Sequence, residues 1–208
     1  SQLDPADIRY AEQLGYRLKL LGITKRTLEG VELRVHPTLI PAKRLIANVE
    51  GAMNAVLVKG DAVGATLYYG KGAGAEPTAS AVIADLVDVT RMHTADPEHR
   101  VPHLAFQPDA MVDLAILPIA DVVSSYYLRL RVEDRPGVLA DVTRILADDG
   151  ISIVAMIQRE PGEGEEQTDI IMLTHKTRER NIDAAIAGIE ALPAVRGRII
   201  RLRLEELL

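Results

Sequence analysis

Two glycine-bearing turns and a scatter of histidines are the places where this chain could do chemistry. The first turn lies in Tyr69-Gly70-Lys71-Gly72-Ala73-Gly74-Ala75-Glu76-Pro77-Thr78-Ala79-Ser80, between an apolar run (Val63–Tyr69) and a helical pattern (Ala79–Val89). Its three glycines let the backbone approach another surface closely, and helix N–H groups behind them favour an anion. Gly70-x-Gly72-x-x-Ala75 fits a loose form of the dinucleotide fingerprint, with Asp88 near the expected acidic position. A complete fingerprint needs a second parallel strand after the helix. Arg91 to Pro108 instead carries three prolines and three histidines without a strand pattern, so the turn is not a complete nucleotide-binding fold.

The second turn is Asp134-Arg135-Pro136-Gly137-Val138-Leu139, between an alternating strand and an amphipathic helix. Gly137 has no Cβ, so a small zwitterion can sit against the backbone there, and the helix N-terminus favours its carboxylate. The plainer reading is that Pro136-Gly137 is a good helix start. His93, His99 and His103 invite a metal, but no second ligand type is positioned with them, and they read as loop histidines. The absence of Cys removes disulfides, Cys-based metal sites and a thiol nucleophile.

The elements that must position these turns follow from periodicity. Asp4 caps a first helix, with Pro5 at its first position, Asp7 in its first turn and Gly15 at its end. Strand-like runs follow at Tyr16–Thr24, Val31–Val35, Ala55–Lys59 and Val63–Tyr69, separated by turn signals, which predicts a mainly antiparallel sheet. In the helix Ala79–Val89, Val82, Ile83, Leu86 and Val89 form one stripe, so one face is expected to be buried. Pro97, Pro102, Pro108 and Pro118 punctuate a linker.

Beyond the linker, Tyr126, Leu128, Leu130 and Val132 alternate with Tyr127, Arg129, Arg131 and Glu133 as a half-buried strand. A helix from Pro136 to Gly150, a strand Ile151–Gln158, a hairpin loop Pro161–Glu166, a strand Thr168–Thr174, a helix Arg178–Leu192 and a strand Val195–Leu204 complete the order. That order, βαββαβ, is the ferredoxin-like arrangement of one antiparallel sheet with two helices on one face. The fold class is therefore α+β: a mainly antiparallel region with packed helices, then a ferredoxin-like domain. The expected division is 1–90, a linker 91–121, and 122–208.

Composition narrows the classes of function. With 48% hydrophobic and 26% charged residues the chain is of ordinary globular composition. A net charge of −6 argues against a nucleic-acid surface. No apolar run approaches the ~20 residues of a membrane span, and no signal peptide opens the sequence, so the cytoplasm is the expected compartment.

Gly-x-Gly-Ala-Gly-x-x-Pro-Thr-Ala-Ser-Ala-Val, at residues 70–82, resembles the segment near the end of the catalytic half of homoserine dehydrogenases. Arg34-Val35-His36-Pro37-Thr38-Leu39-Ile40-Pro41, Val49-Glu50-Gly51-Ala52-Met53-Asn54-Ala55-Val56, Leu104-Ala105-Phe106-Gln107-Pro108 and Tyr126-Tyr127-Leu128-Arg129-Leu130-Arg131 extend the likeness over nearly the whole chain. Asp134 to Leu139 resembles the ACT domain, an amino-acid-sensing module.

The resemblance implies reversible hydride transfer between NADP or NAD and aspartate semialdehyde, giving homoserine. It implies a C-terminal part without the N-terminal nucleotide-binding domain, forming homo-oligomers and inactive alone. No lysine here sits in the family's catalytic motif, so no catalytic residue is assigned. Gly70, Gly72 and Gly74 are implied as a wall of the cofactor site, and Lys71 as a solvated side chain. Glu50 and Asn54 take structural roles in a segment used for dimer contact. Asp134, Pro136, Gly137, Val138 and Leu139 are implied to bind an amino-acid effector, threonine as the pathway end product. Two other readings stay open: a freestanding amino-acid-binding regulator, and a domain that only drives oligomerisation. With its helical stripe unpaired, the segment 1–90 is expected to be less stable than 122–208.

Overall fold

The structure, a computed structural model, describes residues 3–94, 108–159, 164 and 166–207. It divides into two compact units, residues 1–47 with 115–208, and residues 48–114.

In the larger unit, helix α1 (Pro5–Gln13) begins as predicted. The Asp4 side chain accepts from the Ala6 N–H, Asp7 reaches back to the Asp4 N–H, and Pro5 fills a position whose N–H would have no helical partner. Strands β1 (Tyr16–Arg26) and β2 (Val31–Pro41) form a long antiparallel hairpin, pairing Tyr16 with Pro41 and Arg26 with Val31. β2 runs six residues past the predicted end at Val35, through Pro37. Pro37 lies just before a two-residue parallel contact, Thr38 and Leu39 against Arg203 and Leu204. On that side of β2, apart from a bridge of Val31 to Ile116, the preceding residues pair with no other described strand, a setting in which a strand tolerates a missing N–H.

The second half adds β5 (Val123–Glu133), α3 (Val138–Asp148), β6 (Ile153–Gln158), β7 (Gln167–Thr174), a short β8 (Thr177–Arg178), α4 (Glu179–Glu190) and β9 (Val195–Leu204). This is the predicted βαββαβ order. The sheet order β1-β2-β9-β5-β7-β6 places the hairpin beside the ferredoxin-like strands, with β8 pairing the start of β5. The first 47 residues, which the sequence groups with 48–90, thus share a sheet with 123–204. The hairpin loop predicted at Pro161–Glu166 lies outside the described residues except for Gly164 and Glu166.

Alternation along β5 sorts the core. Tyr126, Leu128, Leu130 and Val132 face α3 and α4, packing with Val142, Leu146, Ile170, Met172, Ile182 and Ile189. Tyr127 points to the opposite face, where Ile171, Leu173, Leu202 and Leu204 meet Leu39 and, from α1, Tyr10 and Ala11. Each fully buried aliphatic side chain contributes roughly 1.5–3 kcal/mol, so both faces matter to stability. A helix covering the second face makes this ferredoxin-like sheet a three-layer structure.

In the smaller unit, β3 (Met53–Gly60) and β4 (Gly64–Lys71) pair antiparallel from Met53–Lys71 to Gly60–Gly64. Helix α2 (Ala75–Thr94) follows, longer at both ends than predicted and reaching past the expected linker start at Arg91. The unpaired stripe is exposed, as expected of it in this chain: α2 has no buried residue, and Val82, Ile83, Leu86 and Val89 are each more than half exposed. An apolar stripe marks a face able to be covered; it does not say that the same chain covers it.

Candidate functional site

Asp134, Pro136, Gly137, Val138 and Leu139 line one cleft of about 390 Å³ at the β5–α3 turn. Gln158, at the end of β6, and Ile170, on β7, close it from the sheet side. The helix begins at Val138, two residues later than Pro136, because Gly137 takes φ 95° and ψ −27°, a left-handed conformation outside the helical region. Gly137 occupies the N-cap position and makes no side-chain cap hydrogen bond. The first-turn N–H groups of α3 therefore lack the side-chain acceptor that usually covers them, and the helix dipole adds partial positive charge at the same end.

Charge of the opposite sign stands nearby. The Gln158 Nε2 lies 3.5 Å from Asp134 Oδ1. Glu133 accepts from Arg135 Nε at 2.9 Å and pairs with Arg196. The Arg135 hydrogen bond, with help from Arg196, holds the Glu133 carboxyl below its ordinary range. Val132, Val138, Leu139 and Ile170 supply an apolar floor. A helix N-terminus, the Asp134 carboxylate and an apolar floor within one small cleft suit a zwitterion with a modest aliphatic side chain. The sequence reading missed Gln158, although it is the one polar residue in the run Ile153–Gln158.

The glycine-rich turn has a different character. Gly70 and Lys71 end β4, and Gly74, at φ 127°, directly precedes α2. A Cβ on Gly72 would stand 2.7 Å from Asn54 Nδ2, so a side chain there would make the exposed Asn54 amide shift. Asn54 itself pairs with Gly70 across the hairpin. Gly70 has open space on its Cβ side. Beyond Gly74, Ala75, Thr78, Ala79, Val82 and Ile83 line a shallow apolar groove of about 590 Å³. The turn thus offers exposed backbone and an apolar wall, without a cradle of converging side chains.

Among the described residues no three His, Cys, Asp or Glu side chains are placed to hold a metal. His93 lies on α2, while His99 and His103 fall outside the described residues. No helix among the described residues is long and apolar enough to cross a membrane.

The ACT family profile matches residues 126–194, which carry most of the βαββαβ sheet and the cleft at its first strand–helix turn. The homoserine dehydrogenase family profile matches residues 1–87. The chain is 58% identical over 207 residues to the homoserine dehydrogenase of Pseudomonas aeruginosa, and that match covers 100% of this chain and 48% of the relative. Against the Neisseria gonorrhoeae enzyme it is 55% identical, covering 100% of the chain and 47% of the relative. The crystal structure of a Thiobacillus denitrificans homoserine dehydrogenase matches at 70% identity and a TM-score of 0.91, over 100% of this chain and 46% of that one. The chain belongs to the homoserine dehydrogenase family, and spans about half the length of the curated relatives it matches.

Proposed function

We propose that this chain is the dimerisation and regulatory part of a homoserine dehydrogenase, the NADP- or NAD-dependent enzyme that interconverts L-homoserine and L-aspartate 4-semialdehyde. In this reading residues 1–90 serve the catalytic and dimerisation region, 91–121 link, and 122–208 sense an amino acid. The cleft at the β5–α3 turn supports the regulatory part of the proposal, because the first turn of α3 and the Asp134 carboxylate line one small cavity. L-threonine is the effector proposed, and Asp134, Pro136, Gly137, Val138 and Leu139 its binding residues.

The nicotinamide cofactor supplies the hydride when bound. Gly70, Gly72 and Gly74 fit it only as a backbone wall. The open Gly70 face and the groove beyond Gly74 are accessible, and among the described residues no acidic side chain lines that groove. No residue of this chain is assigned to tight cofactor binding or to proton transfer in this proposal. With homoserine and either cofactor, the chain by itself produces no reduced nicotinamide. Its proposed setting is a cytoplasmic homo-oligomer.

The test is a thermal-melt panel of the chain against free amino acids, with L-threonine first. A ligand at about 100 times its dissociation constant stabilises the folded state by roughly 2.7 kcal/mol. A selective shift that disappears in Asp134→Ala supports the cleft as the sensor. A flat panel removes the sensing role and leaves assembly as the function of 122–208.

A further inference from the structure

The cleft has a second side. Its three sheet residues, Val132, Gln158 and Ile170, each have an immediate neighbour that points through the sheet to the α1 face: Arg131, Arg159 and Asp169. Asp169 and Arg159 meet one side chain of α1, Tyr10, and Arg131 reaches it through Asp169. Tyr10 is only 6% exposed, and its hydroxyl donates to Asp169 Oδ2 at 3.3 Å. Arg159 Cζ lies 5.1 Å above the centre of the Tyr10 ring, within cation–π range. Arg131 Nη1 reaches Asp169 Oδ1 at 3.4 Å, so Tyr10 and Arg131 share the two oxygens of one carboxylate.

Strand geometry makes this arrangement consequential. Successive residues of a strand point to opposite faces, so a twist or shift at Val132, Gln158 or Ile170 moves Arg131, Arg159 or Asp169 by the same rigid linkage. The pairing of β5 with β9 is irregular between Arg129 and Arg131, next to this spot, where β9 carries Gly197 at φ 73°. Bulged pairing of this kind increases local twist and re-aims neighbouring side chains.

We propose that α1 reads the occupancy of the cleft through Tyr10. Ligand in the cleft alters the set of β5, β6 and β7 at Val132, Gln158 and Ile170, and the Arg131–Asp169–Tyr10–Arg159 group passes that change to α1. The inference rests on the effector reading of the cleft for its ligand and on the geometry alone for its route.

Hydrogen exchange of this chain, read peptide by peptide, tests it in two arms. In the first, saturating L-threonine slows exchange in 132–139 and in 5–14 together, and Tyr10→Phe, which keeps the ring but removes the hydroxyl, weakens the response in 5–14 alone. Protection at 132–139 with no change at 5–14 overturns the inference while leaving the effector reading intact. The second arm needs no ligand. Tyr10→Ala and the milder Arg159→Gln raise exchange in 131–134 and 156–159 on the order of two- to thirtyfold, with α4 (179–190) unaffected. Unchanged exchange at those two segments overturns the inference even if no amino acid binds, and a uniform rise that includes α4 overturns it as mere loss of stability.

Discussion

Asp7 and Arg129 meet at two points: Nε donates to Oδ1 at 2.6 Å and Nη2 to Oδ2 at 3.1 Å. The Tyr127 hydroxyl donates to the same Oδ1 at 2.9 Å, and the Asp4 N–H to Oδ2 at 3.1 Å. One buried carboxylate therefore caps its own helix and pins that helix to β5, more than 120 residues away. Burial and the Asp7 charge together push the Tyr127 hydroxyl's pKa up, and the Asp7 hydrogen bond keeps Arg129 charged.

Breaking that pair from one side leaves a buried charge without its partner. Asp7→Ala is expected to lower unfolding free energy by roughly 3–5 kcal/mol in urea titration. Replacing both Asp7 and Arg129 by apolar residues costs less than the sum of the single changes, which a double-mutant cycle reads directly. Additive losses would show that the contact is incidental to the docking of α1.

Acid weakens this fold in two stages. Burial lowers the His36 pKa from its ordinary 6.5, so His36 is neutral when folded and protonated when unfolded over a window below that value. Its contribution is present above 6.5 and fades as pH falls through the window. Glu179 is pulled lower in the acid range: burial alone would raise its pKa, but hydrogen bonds from Arg203 and Tyr126 outweigh that and leave it below 4.5. Its contribution is present above the ordinary carboxylate value and is lost as pH falls through the folded value. Urea midpoints measured downward from pH 8 should therefore drop first near His36's window and again below 4.5. His36→Gln should remove the first drop and spare the second.

Gly137 is held left-handed with open space where a Cβ would stand. Gly137→Ala thus meets backbone strain without a clash, and a loss of about 1–2 kcal/mol is expected by thermal or urea unfolding. Gly70→Ala, also in open space and without positive φ, should fall within about 0.5 kcal/mol of the parent. Equal losses at the two sites would contradict the assigned conformation of the β5–α3 turn.

The exposed stripe of α2 contributes little to the stability of the isolated chain. Val82→Lys with Leu86→Glu should leave the unfolding free energy within about 0.5 kcal/mol. The same pair should reduce self-association in sedimentation, since contiguous exposed apolar surface favours pairing. A large drop in stability would mean that the stripe is covered within the chain.

Much of the second half was legible because its signals are local. The alternation from Tyr126 to Glu133, the stripe of Val138, Val142 and Leu146, and the turn at Asp134–Gly137 each declare an element and its inward face within one short window. The junction of the hairpin with the ferredoxin-like sheet was not legible. It rests on two parallel pairs, Thr38–Arg203 and Leu39–Leu204, joined by contacts such as Lys25 Nζ to Glu205 Oε2 at 2.7 Å. Residues so far apart leave no periodic trace, and His36-Pro37 reads as a strand terminator when the strand continues. Asp7 shows the same limit, since its place in a first turn was evident while its partner Arg129 was not. At the candidate site, the turn was found from its own residues, whereas Gln158 came from a strand that only folding brings beside it.

A ferredoxin-like domain whose sheet has one bare face can be cut at the ends of βαββαβ and moved as a cassette. The helix over the second face makes this one a poor cassette. Excision at residue 122 would strip Tyr10, Ala11 and Leu39 from Tyr127, Ile171, Leu173 and Leu202, turning an interior surface into a sticky exterior one. In this chain the ferredoxin-like domain and the segment before it share one sheet and one core.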